Sequence, residues 1–294
     1  MKTVSEYFRE RLGRKVQKIA VDAGLGCPNR DGTLGTQGCV YCNNAAFNPG
    51  YAAGTGHSIT RQIEDGKRFF ARKAGADTAF LAYFQSWTNT YGETCRLKAL
   101  YEEALACPGI EGLVIATRPD CLRQELVDWF AERFTGEGSP FLLIELGVES
   151  TEDRTLERIK RGHGFDCARN AINRLAEKGI PVGVHIILGL PGETQEDFNA
   201  HAERISSLPI STVKLHQLQV IKGTTLERTY LEHPEEIRLM TPDAYAEAAA
   251  GFIRRLRPDI AVDRLVSETP PGMLVAPCWG LKPDTVAEMI RKRL

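Results

Sequence analysis

Residues 27–42 read CPNRDGTLGTQGCVYC and gather three of the chain's eight cysteines around a glycine-rich loop. Eleven residues separate Cys27 from Cys39, and two separate Cys39 from Cys42. A C-x-x-C pair presents two thiolates to one centre from a tight turn, and a longer loop can return a third. Glycines at 24, 26, 32, 35 and 38 let the backbone curl and turn its N–H groups toward an anionic centre. Two uses compete. A structural zinc ion asks for four ligands, and His57 is the nearest candidate for the fourth. A [4Fe–4S] cluster on three thiolates leaves one iron open to a small-molecule ligand. The spacing alone leaves both open.

The rest of the chain sets the context. At 294 residues and 43% apolar content it can build one large α/β core. The N-terminal segment is charged and amphipathic, without the apolar region of a signal peptide. No run approaches the roughly 18 apolar residues of a membrane span, so a soluble, cytoplasmic protein with reduced thiols is expected. Cys95, Cys107, Cys121, Cys167 and Cys278 show no ligand spacing and are expected to be small buried hydrophobes. A net charge of −1 gives no strong overall field for nucleic acid. Local basic clusters exist at Arg9, Arg11, Arg14, Lys15 and Lys18, and at Arg254, Arg255 and Arg257. Such runs are usually solvated faces.

Short apolar runs at 16–22, 78–84, 112–117, 141–148, 181–190 and 212–220 read as strands. Helix-like stretches lie near 58–74, 94–106, 120–134, 151–178 and 195–207. Thr151 and the Thr241–Pro242 pair read as helix starts. The alternation predicts an α/β fold with a parallel sheet. Six units are too few for a closed barrel, so a partial (β/α)6 TIM-type barrel is expected over 1–221, with a flat doubly wound sheet as the alternative. Residues 222–294 read as an appended C-terminal segment, with helices at 243–256 and 283–293, an apolar segment at 259–266 and a proline-rich loop at 268–280. Ligands of such folds bind at the carboxyl ends of the strands. That rule selects the cysteine loop, Gln85 and Ser86, Thr117 and Arg118, Glu149, the His185–Gly192 segment, and His216 to Gln219.

Taken together, CPNRDGTLGTQGCVYC, AYFQSWTNTYG (82–92), IATRPDCL (115–122), ELGVESTEDRTLERIKRGH (145–163) and HIILGLPGET (185–194) resemble the radical S-adenosylmethionine (SAM) superfamily. More narrowly, they resemble its YhcC/YtqA-type group, relatives of the Elongator catalytic subunit. The eleven-residue first gap departs from the superfamily's usual three and is the expected form in that group. The resemblance implies a [4Fe–4S] cluster on Cys27, Cys39 and Cys42 whose open iron takes SAM. Reductive cleavage of SAM would give methionine and a 5′-deoxyadenosyl radical, with the cofactors carrying the hard chemistry.

The same resemblance assigns SAM contacts. Tyr41 would pack near the adenine, Gln85 and Ser86 would meet the amino group, and Glu149 would accept the ribose hydroxyls. Arg161 would pair with the SAM carboxylate, which suits a guanidinium. His185 would be a polar SAM contact, and Thr117 and Gln217 complete the rim. Gly189, Pro191 and Gly192 would shape the turn around adenine. Glu145, if it points inward, needs a partner or a raised pKa. The resemblance further implies tRNA as substrate, at the carbon-5 side chain of a wobble uridine, with the N-terminal basic cluster the first place to look for RNA contacts. An electron donor such as flavodoxin or ferredoxin is implied, as is a partner methyltransferase acting on the product. The rival expectations are a radical SAM enzyme for a small molecule or peptide, and a zinc-stabilised α/β binding protein.

Overall fold

The structure is a computed structural model that describes residues 1–47, 51, 56–72, 74–75, 77–270 and 272–294. Residue 73 of the expected 58–74 helix and residue 271 of the proline-rich loop lie outside the described residues. The chain runs β1 (Lys2–Thr3), α1 (Val4–Leu12), β2 (Lys15–Val21), α2 (Ile59–Phe70), β3 (Thr78–Phe84), α3 (Thr94–Ala106), β4 (Ile110–Thr117) and α4 (Gln124–Phe134). It continues with β5 (Phe141–Glu149), α5 (Asp153–Arg158), α6 (Phe165–Glu177), β6 (Val182–Leu188), α7 (Gln195–Ser206), β7 (Thr212–Gln217) and β8 (Val220–Ile221). The last elements are α8 (Thr225–Glu232), α9 (Pro242–Arg254), β9 (Ala261–Arg264), β10 (Leu274–Ala276) and α10 (Pro283–Arg291).

Eight strands form one sheet in the order β1-β9-β7-β6-β5-β4-β3-β2, and every neighbouring pair is parallel. The six strands expected from the sequence are β2 to β7. The expected apolar segment at 259–266 contains β9, which pairs with β7 and extends that sheet. β8 and β10 make a separate antiparallel pair.

The sheet is curled, and one ion pair proves it. Lys18 of β2 and Asp263 of β9 stand six strand spacings apart, roughly 29 Å in a flat sheet. Their side chains meet at 2.6 Å. The flat alternative is therefore excluded, and the fold is a half-barrel. Helix α1 bridges the open side, because β1 lies at one edge and β2 at the other. A Thr3–Glu6 capping box starts α1, and Gly13 at φ 72° ends it. Its Tyr7 and Phe8 are buried with Leu81, Tyr83, Val114 and Leu143 on the inner face of the sheet. Burying each ring contributes about 1.5–3 kcal/mol. The larger core lies outside the sheet, beneath the helices.

Two helix boundaries differ from expectation. The 151–178 stretch is two helices, and the break between α5 and α6 holds Arg161. Thr151 is not a cap: its hydroxyl pairs with buried His201 at 2.7 Å, and Glu152 takes the N-cap position of α5. Thr241 does cap α9, accepting from the Ala244 N–H at 3.2 Å with Pro242 at the helix start. Cys107 and Cys121 are buried as expected, whereas Cys95 and Cys278 are exposed and Cys167 is half-buried.

Candidate active site

The carboxyl ends of β3 to β7 open into one cavity. Cys27, Cys39, Cys42, Tyr41, Gln85, Thr117, Glu149, Arg161, His185 and Gln217 all line it. Ser86 does not line it and is buried.

The cysteine loop is built by its own backbone. The Leu34 N–H donates to Pro28 O at 2.7 Å and the Gly38 N–H to Asn29 O at 2.7 Å, which folds 28–38 into a compact excursion. The Cys42 N–H closes the C-x-x-C turn on Cys39 O at 3.0 Å. Gly38, at φ 76°, also lies against the Arg30 guanidinium, which a Cβ would meet at 2.8 Å. The long first spacing thus returns Cys39 to the mouth of the barrel. The side-chain amide of buried Asn29 donates to Cys39 Sγ at 3.4 Å, to Lys160 O at 2.9 Å and to Arg161 O at 3.2 Å. It locks the cysteine loop to the segment between α5 and α6.

That segment delivers Arg161 into the cavity. Its Nη1 donates to Cys39 Sγ at 3.5 Å and its Nη2 to Gly147 O at 2.6 Å, while Nη2 stands 3.6 Å from Glu149 Oε1. The Arg161 side chain is buried rather than a surface helix-end group, and its Nε has no partner among the described residues. Arg118 donates to Arg161 O at 2.8 Å and holds Asp120 in two-pronged fashion, leaving a buried Nη1 without a partner. Two buried guanidinium donors therefore await an acceptor at one mouth.

Glu149 reaches the cavity through a distortion. The register of β5 against β6 shifts between Gly147 and Glu149, and Glu149 takes φ 70°. A bulge re-aims a side chain in this way, and a left-handed φ at a non-glycine residue stores strain where function needs it. Trp87, another cavity residue, has φ 67°, and its N–H donates to Asn44 Oδ1 at 2.8 Å.

Below the mouth lies a polar layer. Glu145 points into the barrel and meets Lys214 at 2.7 Å, Tyr83 at 2.7 Å, His185 at 2.9 Å and Lys18 at 3.4 Å. Burial alone would raise its pKa. The charges of Lys18 and Lys214 and the His185 hydrogen bond outweigh that and hold it well below the ordinary carboxylate value. Lys18 is therefore an interior residue, not part of a surface basic patch. Arg14 is likewise engaged, with Glu111 at 2.8 Å. Lys214, Arg264, Trp87, Asn29 and Arg30 escaped the sequence reading. Only Lys214 had a signal, a lysine two residues before His216 on an apolar strand.

Three comparisons bear on this site. Residues 24–205 match the radical SAM superfamily, and residues 210–294 match the Radical_SAM C-terminal domain. The chain belongs to the radical SAM superfamily. Within it, this radical SAM protein is 33% identical to YtqA of Bacillus subtilis over 292 residues, covering 99% of this chain and 88% of YtqA. It is 33% identical to YhcC of Escherichia coli K12, covering 92% of this chain and 84% of YhcC. Its fold resembles that of Methanocaldococcus infernus Elp3 lacking residues 1–46, with a TM-score of 0.69 at 16% identity. That match covers 95% of this chain and 63% of the Elp3 chain. A shorter stretch, 41% of this chain, is 31% identical to 26% of the tRNA uridine(34) acetyltransferase of Dehalococcoides mccartyi.

The family's cofactors are a [4Fe–4S] cluster and SAM, and the residues present fit both. Three thiols line one cavity beside Arg30 and Arg161, whose charges suit an anionic cluster. N–H groups reach the sulfur of Cys39 from two sides, the kind of support that orients ligands and tunes a cluster's potential. The unpartnered Arg161 Nε and Arg118 Nη1 are donors of the type a carboxylate satisfies. His57, the zinc reading's fourth ligand, is elsewhere: it sits 3.6 Å from Asp22 and does not line the cavity. Among the described residues no His, Cys, Asp or Glu group is arranged to hold a single metal ion, and no helix is long and apolar enough to cross a membrane.

Proposed function

We propose that this radical SAM enzyme modifies tRNA, acting on the carbon-5 side chain of a wobble uridine in the cytoplasm. The observation that carries the enzyme class is the convergence of Cys27, Cys39 and Cys42 with Glu149 and a buried, part-unpaired Arg161 on one cavity. The tRNA substrate is supported by the partial likeness to a tRNA uridine(34) acetyltransferase and the fold shared with Elp3. When bound, the cluster and SAM supply reductive cleavage of a carbon–sulfur bond and hence a carbon radical.

The chain's own residues do the rest. Arg161, with Arg118 behind it, holds the SAM carboxylate, and Glu149 accepts the ribose hydroxyls. Tyr41 packs on the adenine, while Gln85, Thr117, His185 and Gln217 complete the polar wall. Ser86 acts through the turn that sets Gln85. The walls of the half-barrel exclude water from the reacting carbon. Residues 1–221 supply the cofactor-binding strands of the barrel, and 222–294 complete its sheet with β9 and close it. A flavodoxin- or ferredoxin-type donor supplies the electron, and a separate methyltransferase takes the product. A small-molecule or peptide substrate is the second reading. It is favoured by the removal of Lys18 and Arg14 from the N-terminal basic cluster.

Two measurements test this. Anaerobically reconstituted protein should be brown and cleave SAM on reduction, and Cys39→Ala should abolish both; a colourless zinc protein overturns the enzyme class. Mass spectrometry of tRNA nucleosides from a deletion strain should show a changed wobble uridine; an unchanged profile overturns the substrate.

A further inference from the structure

The polar layer below the cavity mouth carries a cation left unpaired among the described residues. Five charged side chains from β2, β5, β7 and β9 occupy this layer and its wall: Lys18, Glu145, Lys214, Asp263 and Arg264. The two lysines consume the two carboxylates. Lys18 lies 2.6 Å from Asp263 and 3.4 Å from Glu145. Lys214 lies 2.7 Å from Glu145 and 3.1 Å from Asp263. Arg264 is left over. Its half-buried guanidinium lines the cavity and has no hydrogen-bond or ion-pair partner among the described residues. Glu268 also lines the cavity but is exposed and forms no ion pair with Arg264.

His216 of β7 lines the same cavity as Arg264. Its Nδ1 is 2.6 Å from Ser267 Oγ, and its buried Nε2 has no partner among the described residues. Burial pushes the ring well below its ordinary pKa, helped by His185, Arg264 and Lys214, so the imidazole is neutral. If the Ser267 hydroxyl donates to Nδ1, the ring proton sits on Nε2 and is free to be donated. Ser267 is itself fixed by Gln217, which donates to Ser267 O at 3.0 Å and accepts from the Ser267 N–H at 2.7 Å. This wall belongs to β7 and β9, whereas Thr117 and Glu149 end β4 and β5.

We infer that Arg264 and His216 form a subsite for an anionic group of the substrate, a carboxylate or a phosphate. Arg264 is half-buried in the cavity wall and has no hydrogen-bond or ion-pair partner among the described residues, so its donors are open to a ligand. Arg264 offers the fork geometry that carboxylates and phosphates share, and His216 Nε2 adds a neutral donor in the tautomer in which Ser267 donates to Nδ1. The subsite rests on the radical SAM reading of the cavity and not on the choice of tRNA as substrate.

The test is calorimetric titration of inorganic phosphate and of malonate into anaerobically reconstituted protein saturated with SAM and left unreduced. SAM loading keeps Arg161 and Arg118 from acting as the anion site. SAM uptake is measured first, and its failure would overturn both the cofactor reading and the subsite. On SAM-loaded protein, saturable binding of one anion is expected, weakened roughly tenfold or more by Arg264→Gln, partly restored by Arg264→Lys and unchanged by the exposed-site control Lys292→Gln. Preference for malonate identifies a carboxylate, and preference for phosphate a phosphate. Equal binding by Arg264→Gln, or no binding of either anion, overturns the subsite.

Discussion

Arg161 donates through Nη1 to Cys39 Sγ at 3.5 Å and through Nη2 to Gly147 O at 2.6 Å. One side chain thus ties Cys39, the bulged end of β5 and the loop after α5 into a single unit. Replacing it with Gln should weaken SAM binding by roughly tenfold to a hundredfold, the effect of losing a charged hydrogen bond worth about 1.5–3 kcal/mol. The cluster's reduction potential should also move, because an N–H donor to the Cys39 sulfur is lost. Equilibrium SAM binding and an EPR-monitored redox titration read the two effects separately. Unchanged values in both would remove Arg161 from the site.

Gly147 has no room for a side chain. A Cβ there would lie 2.5 Å from Arg161 Nη2 and 2.6 Å from Glu149 Oε1. Gly147→Ala should therefore push the Arg161–Glu149 pair out of place and weaken SAM binding by about tenfold, the scale of one lost charge-assisted contact. Iron content should stay at the wild-type level, since the loop's own backbone bonds and Asn29 still hold the thiols when the Arg161 contact to Cys39 is disturbed. Loss of iron together with SAM binding would show that the cluster and the nucleoside wall are not separable.

Lys214 holds Tyr83, Glu145 and Asp263 at 2.9, 2.7 and 3.1 Å. Lys214→Ala leaves two buried carboxylates sharing Lys18. A cost of about 3 kcal/mol is expected, at the low end for a broken buried pair because one cation remains. Urea unfolding followed by circular dichroism measures it. A cost under about 1 kcal/mol, the worth of a surface pair, would mean that water already screens this layer.

His163 lies beside the cysteine loop, and burial lowers its pKa to about 4, with Arg161 acting in the same direction. The unfolded chain binds a proton near pH 6.5 that the folded chain refuses. Stability is therefore full above about pH 6.5 and falls as pH drops toward about 4. His163→Gln should flatten this part of the stability–pH curve, as read by urea midpoints at stepped pH. Parallel curves for the two proteins would place the titrating group elsewhere.

How much of this was legible in sequence follows from the range of each signal. β2 to β7 declared themselves because a strand buried on both faces in a parallel sheet reads as a continuous apolar run. β9 did not, because four residues give too short a pattern, and its Asp263 and Arg264 are charged. The helix break at 159–164 was hidden by helix-compatible residues on both sides, although it determines where Arg161 points. Thr151 shows the converse: its cap chemistry was local and plausible, but a buried histidine fifty residues away claimed the hydroxyl.

By itself, the sequence determined the three thiols, the strand ends that carry the rim, and the family to which those motifs belong. All of these depend on residue type and spacing along the chain. Tertiary structure alone decided that the sheet curls until Lys18 meets Asp263, and that Glu145 is ionised inside the barrel. It also decided that Arg161 turns inward, that Ser86 lies outside the cavity, and that Arg264 has no partner among the described residues. Each of these depends on which charge stands opposite which across folded strands. That pairing is set by strand order and curvature, and no local pattern encodes it.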